Sequence, residues 1–254
     1  MLPEFFGRRC FGAMFRVLIR SGYTSRHTWS PLDLKIHFSL LRPHESDRFL
    51  TPSAGTQGGA QVAELDRLLQ SLQPLEDDAV EVIEGSALRP AAVLALIDPS
   101  RIDLPLLLLL RSSELRKHPG QVGLPGGSPA PEDGPLWRTA LREAREELGV
   151  PPDAVDLRGR AALVPTWNSG FVIAPFVGLL RHPIEPVAAA GEVATFFWLP
   201  LLPHGVLAAR VSRQVTVAEG SFLVTGYLHQ PHFVWGATGA VVEDLLSRMA
   251  PPAS

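Results

Sequence analysis

Residues 136–150 read Leu-Trp-Arg-Thr-Ala-Leu-Arg-Glu-Ala-Arg-Glu-Glu-Leu-Gly-Val. The pattern predicts a helix from Leu136 to Leu148, ended by Gly149 and Pro151. Residues three and four apart share a helix face, so Glu143 and Glu147 stand one turn apart with Glu146 beside them. Three crowded carboxylates repel one another unless a cation binds between them. Such hard oxygen donors suit Mg²⁺ or Mn²⁺, and the set is too rich in carboxylate to prefer zinc. Arg142 is spaced to pair with one of these acids and hold its rotamer. The same run also reads as a solvated, salt-laced helix face, and Arg-Glu-x-x-Glu-Glu alone does not decide between the two. Just upstream, Pro125-Gly126-Gly127 is a tight glycine turn able to bring backbone N–H groups close to an anion. A loop, a helix with acids at this spacing and a second loop are what a diphosphate–metal site needs.

Around this helix lie apolar runs bounded by turn residues, PAAVLALI at 90–97 and LPLLLLLR at 104–111, which suit buried strands. Further strands are expected near 156–164, 171–180 and 195–198, with another at 222–228, and 238–249 reads as a closing helix. Residues 112–135 form a long irregular stretch rich in Gly and Pro. Upstream, TPSAGTQGGA at 51–60 has the composition of a linker. Leu65, Leu68, Leu69 and Leu72 then recur at helical spacing in a short amphipathic helix stopped by Pro74. Strands and helices alternating without a regular βαβ rhythm imply an α/β fold, a mixed sheet packed between helices.

The 254 residues suffice for one good-sized core plus an appendage. With 46% apolar and 19% charged residues the chain is globular in composition. A formal net charge of -3 gives no sign of a nucleic-acid-binding surface. Residues 1–57 carry eight basic and four acidic side chains, leaving 15 basic and 22 acidic ones for the remainder. The longest apolar stretch, Leu104 to Leu110, is far short of the roughly 20 residues a spanning helix needs. Cys10, the single cysteine, excludes an internal disulfide framework and makes the cytosol the simplest compartment. FFGRRCFGAMFRVLIR at 5–20 could instead be an organelle-targeting or interfacial amphipathic piece. The expected division is an N-terminal extension over 1–57 and a catalytic domain over 58–254.

The segment Gly127 to Val150 resembles the Nudix box: a glycine, a glutamate six residues on, then Arg-Glu-x-x-Glu-Glu-x-Gly and an apolar residue. Arg142, Glu143, Glu146, Glu147, Gly149 and Val150 match its second half. The first half departs, because Asp133 stands where the glutamate should and the spacing from there to Arg142 is one residue longer. This reads as a small loop insertion before the helix. Leu110-Arg111-Ser112-Ser113-Glu114-Leu115-Arg116-Lys117-His118-Pro119-Gly120-Gln121-Val122, running into Leu124-Pro125-Gly126-Gly127, is similar to the element preceding the box in the coenzyme A pyrophosphatase branch. Thr166-Trp167-Asn168-Ser169-Gly170-Phe171 and Trp235-Gly236-Ala237-Thr238 resemble later segments of the same branch. Gly123-Leu124 depart from the Ser-Phe more usual there.

The resemblance implies a Nudix-type α/β/α sandwich and a water attacking one phosphorus of a P–O–P linkage. It implies Glu143, Glu146 and Glu147 as ligands of Mg²⁺ or Mn²⁺, and either Glu146 or Glu192 as the base that deprotonates the water. Arg111, Arg116, Lys117 and His118 would receive phosphates, beside Gly126 and Gly127. His118 could instead stabilise its own turn. Trp167 and Asn168, in an expected loop, are candidates to contact a nucleotide, whereas Phe171, Tyr227 and Trp235 default to core packing. His182, His204, His229 and His232 show no metal-ligand arrangement. The implied substrate is coenzyme A or a derivative, cut to adenosine 3',5'-bisphosphate and 4'-phosphopantetheine. ADP-ribose, NADH or a dinucleoside polyphosphate are the alternatives, as is a non-catalytic binding protein on the same fold. The expected partner is a nucleotide-containing small molecule rather than nucleic acid or membrane, and a homodimer is left open.

Overall fold

The structure is a computed structural model that describes residues 54–75, 88–115, 118–166, 170–202, 210–217 and 220–251. The elements run α1 (Ala54–Gln70), β1 (Arg89–Ile97), β2 (Leu106–Arg111), β3 (Val122–Gly123), β4 (Gly126–Gly127) and α2 (Leu136–Leu148). A 3-10 turn at Pro152–Ala154 leads into β5 (Val155–Arg160), β6 (Val164–Pro165), β7 (Phe171–Leu180) and β8 (Val193–Leu199). Then come β9 (Arg210–Val217), β10 (Gly220–His229), β11 (His232–Val234) and α3 (Gly236–Met249).

The sheet is mixed, as the irregular alternation of strands and helices implies. β1 and β7 pair in parallel from Arg89↔Phe171 to Ile97↔Leu179. Antiparallel partners flank them, β5 on β7 and β2 on β1, with β8 beyond on β2. The central strands are buried on both sides, which is why they read as unbroken apolar runs. Side chains still alternate between faces. Ala92, Leu94, Leu96, Leu107, Leu109 and Phe176 pack with Leu136, Ala140, Ala144 and Leu148 of α2. Ala95, Ile97, Leu106, Leu108 and Leu179 pack with Leu68 of α1 and Val242, Leu245 and Met249 of α3. One helix on one face and two on the other make the α/β/α sandwich. Burying each of these leucines contributes roughly 1.5–3 kcal/mol, so α2 is held mainly by its apolar stripe.

Contacts divide the described residues into two units, those up to Val211 together with those from Gly226 onward, and those of Ser212–Thr225. The sandwich belongs to the first. In the second, the described residues are the facing parts of β9 and β10, where the hydroxyls of Ser212 and Thr225 lie 3.0 Å apart and those of Thr216 and Ser221 2.7 Å apart.

Several expectations shift. The glycine-rich segment read as a linker is helical from Ala54, because a helix nucleated by its packed leucine face propagates through poor helix formers at modest cost per residue. The 112–135 stretch contains two short strand pairings, β3 on β2 and β4 on β1. Expected strand 156–164 divides into β5 and β6, with a bulge in β5 between Leu157 and Gly159. The N-terminal segment at 5–20 lies outside the described residues. No helix among the described residues is long and apolar enough to cross a membrane.

Candidate active site

The last turns of α2 lie against β4, and two glycines permit it. Val93 pairs with Gly126 and Ala92 with Gly127, holding the glycine backbone to β1. Gly126 adopts φ 156°, and a Cβ there would crowd the Ala92 carbonyl oxygen and stand 2.6 Å from Val93 Cα. At Gly127 a Cβ would stand 2.5 Å from Glu143 Oε1. The absence of side chains on β4 is therefore what lets carboxylates from the helix reach the strand backbone. Gly126 N–H donates to Glu147 Oε2 at 2.9 Å. The anion met by the glycine turn is thus an internal carboxylate.

Glu147 is 4% exposed. Burial pushes its carboxyl up to about 7; the Gly126 N–H and Arg111 pull it down, while Glu143 and Glu192 push it further. Burial likewise raises Glu143, against the Arg142 guanidinium, with Glu146 and Glu192 adding repulsion. The C-terminus of α2 closes on Gly149 at φ 64°, whose N–H reaches Arg145 O at 2.9 Å while Val150 N–H reaches Ala144 O at 3.2 Å.

Arg142 is the hub of the polar network. It donates through Nε to Asp133 Oδ1 at 2.9 Å and through Nη2 to Asp133 Oδ2 at 3.0 Å. It also pairs with Glu143 Oε1 at 2.9 Å, with Glu146 Oε2 at 2.8 Å and with Ser128 O at 3.2 Å. Asp133 is buried and accepts further bonds from Ala130 N–H and the Thr139 hydroxyl, both at 2.9 Å. These contacts, Arg142 first, hold its carboxyl down at about 2 against the cost of burial. The shorter acid and the extra loop residue therefore still deliver a carboxylate to Arg142, through a turn closed by Asp133 N–H on Ala130 O. Thr139 and Ser128 were missed in the sequence because only the folded loop brings them to this network.

Replacing Asp133 with Asn is expected to lower stability near pH 7 by about 2 kcal/mol, the scale of a lost charge-assisted hydrogen bond. Because the folded-state value lies below the unfolded one, wild-type protein keeps this stabilisation above about pH 4 and loses it as pH falls through about 2. Urea midpoints across that range should slope steeply for wild type and less so for the variant. Parallel curves would show that Asp133 does not carry the effect.

Glu146 goes to Arg142 and its side chain is 57% exposed. Consequently, among the described residues, no three His, Cys, Asp or Glu side chains converge within reach of one cation. Glu143 and Glu147 form the converging pair, and a third acid approaches from another loop. Ala189 N–H and Val187 N–H cap the Glu147 and Leu148 carbonyls, both at 2.9 Å, and Ser112 N–H donates to Glu192 O at 2.8 Å. The loop bearing Glu192 is thereby tied to both α2 and the end of β2, with its charge felt by Glu143 and Glu147.

Arg111, the last residue of β2, points Nη1 at Glu147 Oε1 from 3.8 Å. His118, at φ 53°, places Nδ1 3.1 Å from Gln121 Oε1 within its own exposed turn. Arg116, Lys117, Trp167 and Asn168 lie outside the described residues. Tyr227 is buried and donates to Glu243, a core placement as expected. A shallow groove of about 660 Å³ on the outer side of α2 includes Trp137, Arg138, Arg142, Arg145 and Glu146, but neither Glu143 nor Glu147 lines it. The chemistry of buried carboxylates marks the β4 side of the helix instead.

A family model described as the NUDIX domain matches residues 87–210. The chain is 39% identical over 148 residues to the Nudix hydrolase NudL of Yersinia enterocolitica, a match covering 57% of this chain and 73% of that one. It is 34% identical over 184 residues to NudL of Cronobacter sakazakii, covering 71% and 92%. Among solved structures, a NUDIX hydrolase from Alicyclobacillus acidocaldarius aligns at 19% identity over 63% of this chain and 91% of that one, with a TM-score of 0.39. With its mixed sheet between helices and its acidic helix on a glycine strand, the chain belongs to the Nudix hydrolase family.

Proposed function

We propose that this protein hydrolyses the diphosphate linkage of a nucleoside diphosphate compound with Mg²⁺ or Mn²⁺, and that coenzyme A and its derivatives are the substrates to test first. The observation that carries the reaction class is the convergence of Glu143 and Glu147 beside the β4 backbone, with Glu147 buried against too little compensating charge. Their donor chemistry fits a hard divalent cation, because every free atom is a carboxylate oxygen. Glu146, held by Arg142 through Oε2, would join such a set through Oε1 or by leaving Arg142. When bound, the cation would neutralise diphosphate oxygens and acidify the attacking water.

The protein's own groups supply the rest. Water adds to one phosphorus, the bridging P–O bond breaks and the water's proton passes to a carboxylate. Glu192, anchored by its backbone and without a side-chain partner among the described residues, suits that role better than Glu146, which is bound to Arg142. Arg142, fixed by Asp133, holds Glu143. Arg111 faces the same carboxylates and suits a phosphate oxygen.

The coenzyme A reading rests on the resemblance of residues 110–127 and 166–171, whereas ADP-ribose, NADH and dinucleoside polyphosphates share the same cleavable bond. A product assay with Mg²⁺ or Mn²⁺ on coenzyme A, ADP-ribose, NADH and a dinucleoside polyphosphate separates them. Release of adenosine 3',5'-bisphosphate from coenzyme A, well above the other rates, is expected. Preference for another compound would discard the substrate and keep the chemistry, and no turnover of any would sink both.

A further inference from the structure

Arg111 is only partly used where it lies. Along β2, Leu107 and Leu109 pack on the α2 side, so alternation turns Arg111 towards that helix as well. The register with β8 shifts at this point: Leu110 pairs with Thr195 but Arg111 with Val193, passing over Ala194. Such irregularities re-aim a side chain at the end of a ladder.

Its Nη1 stands 3.8 Å from Glu147 Oε1, an ion pair beyond hydrogen-bonding distance. Its Nε is buried without any hydrogen-bond partner, the one such side-chain atom among the described residues. Glu147 in turn takes its Gly126 bond on Oε2, leaving Oε1 towards Arg111. A buried cationic N–H lacking an acceptor is costly to retain unless something fills it.

We propose that Arg111 is a shared cation: before substrate binds it competes with the divalent ion for Glu147, and it then donates through Nε to a diphosphate oxygen of the bound substrate. Metal and substrate then bind with positive coupling, since the diphosphate draws Arg111 off the carboxylate that the metal needs. This inference rests on the metal and diphosphate reading above and extends it to the order in which the groups change partners.

The test is Mn²⁺ titration of the full chain, followed by calorimetry and by electron paramagnetic resonance of free Mn²⁺. The titration is done with and without α,β-methylene-ADP, a diphosphate analogue that cannot be hydrolysed. Arg111→Gln should bind Mn²⁺ alone about fivefold more tightly, because a repelling charge a few ångströms away is gone. The same variant should bind the analogue at least about tenfold more weakly in the Mn²⁺-loaded state. Arg111→Lys keeps the charge without the Nε donor, so its Mn²⁺ affinity should stay within about twofold of wild type while analogue affinity still falls. Circular dichroism and melting show whether either variant is folded. Weaker or unchanged Mn²⁺ binding by folded Arg111→Gln, or an undiminished analogue affinity in either variant, overturns the proposal. Failure of wild type to bind Mn²⁺ at all would instead remove the metal reading, and this inference with it.

Discussion

Glu147→Gln is expected to raise the melting temperature of the metal-free protein while abolishing Mn²⁺ binding and lowering turnover at least about 100-fold, beyond what loss of a supporting residue costs. The two effects share one cause. Glu147 is taken out of water at 4% exposure, receives one backbone hydrogen bond at 2.9 Å and, among the described residues, has its nearest cation 3.8 Å away. Desolvation of a carboxylate outweighs compensation that thin, and burial already pushes the group up to about 7. Glutamine keeps an oxygen for the Gly126 N–H and removes the charge, so a gain of about 1–3 kcal/mol follows. A group that destabilises its own fold is retained where function uses it. Melting curves and Mn²⁺ titration of the same preparation decide the matter. A lower melting temperature with Mn²⁺ binding intact would make Glu147 a structural acid and remove the central support for a metal site here.

The acidic helix was legible because its information is local. Spacing put Glu143 and Glu147 on one face, and Gly149 ended the helix where a left-handed cap was needed. The apolar runs of β1 and β7 were legible for a similar reason, since strands buried on both faces cannot afford polar positions. What local spacing could not report was competition between partners. Glu146 sits on the right side of α2 but is taken by Arg142, which serves three acids where the sequence suggested one. Asp133 looked like a weakened match because both its length and its spacing depart from the family pattern. Only the folded loop shows the shorter acid reaching the same guanidinium. The start of α1 was hidden by glycines whose composition favours a linker. β9 is not legible in the sequence because its half-exposed face carries Arg213 between Val211 and Val215, and so no continuous apolar run.

Gly126→Ala and Gly127→Ala should fail in different ways, although the residues are adjacent and share one short strand. At Gly126 the new Cβ meets backbone, the Ala92 carbonyl oxygen and Val93 Cα, and φ 156° is a conformation side chains rarely adopt. Backbone cannot swing aside as a side chain can, so β4 must leave β1. The cost should exceed about 3 kcal/mol, a fall of roughly 6–12 °C for a domain of this size. Glu147 would also lose its N–H donor. At Gly127 the Cβ meets only the Glu143 carboxylate, 2.5 Å from Oε1 and 2.7 Å from Cδ. That end of a flexible side chain can turn away. The fold should therefore survive with its melting temperature lowered by only a few degrees, on the scale of about 1 kcal/mol. Mn²⁺ affinity should fall about tenfold, because one of two converging acids is displaced. Thermal melts and Mn²⁺ titration of the two variants separate scaffold from site. If Gly127→Ala destabilises as much as Gly126→Ala, Glu143 is clamped as part of the scaffold. If it leaves Mn²⁺ affinity unchanged, Glu143 is not holding the metal.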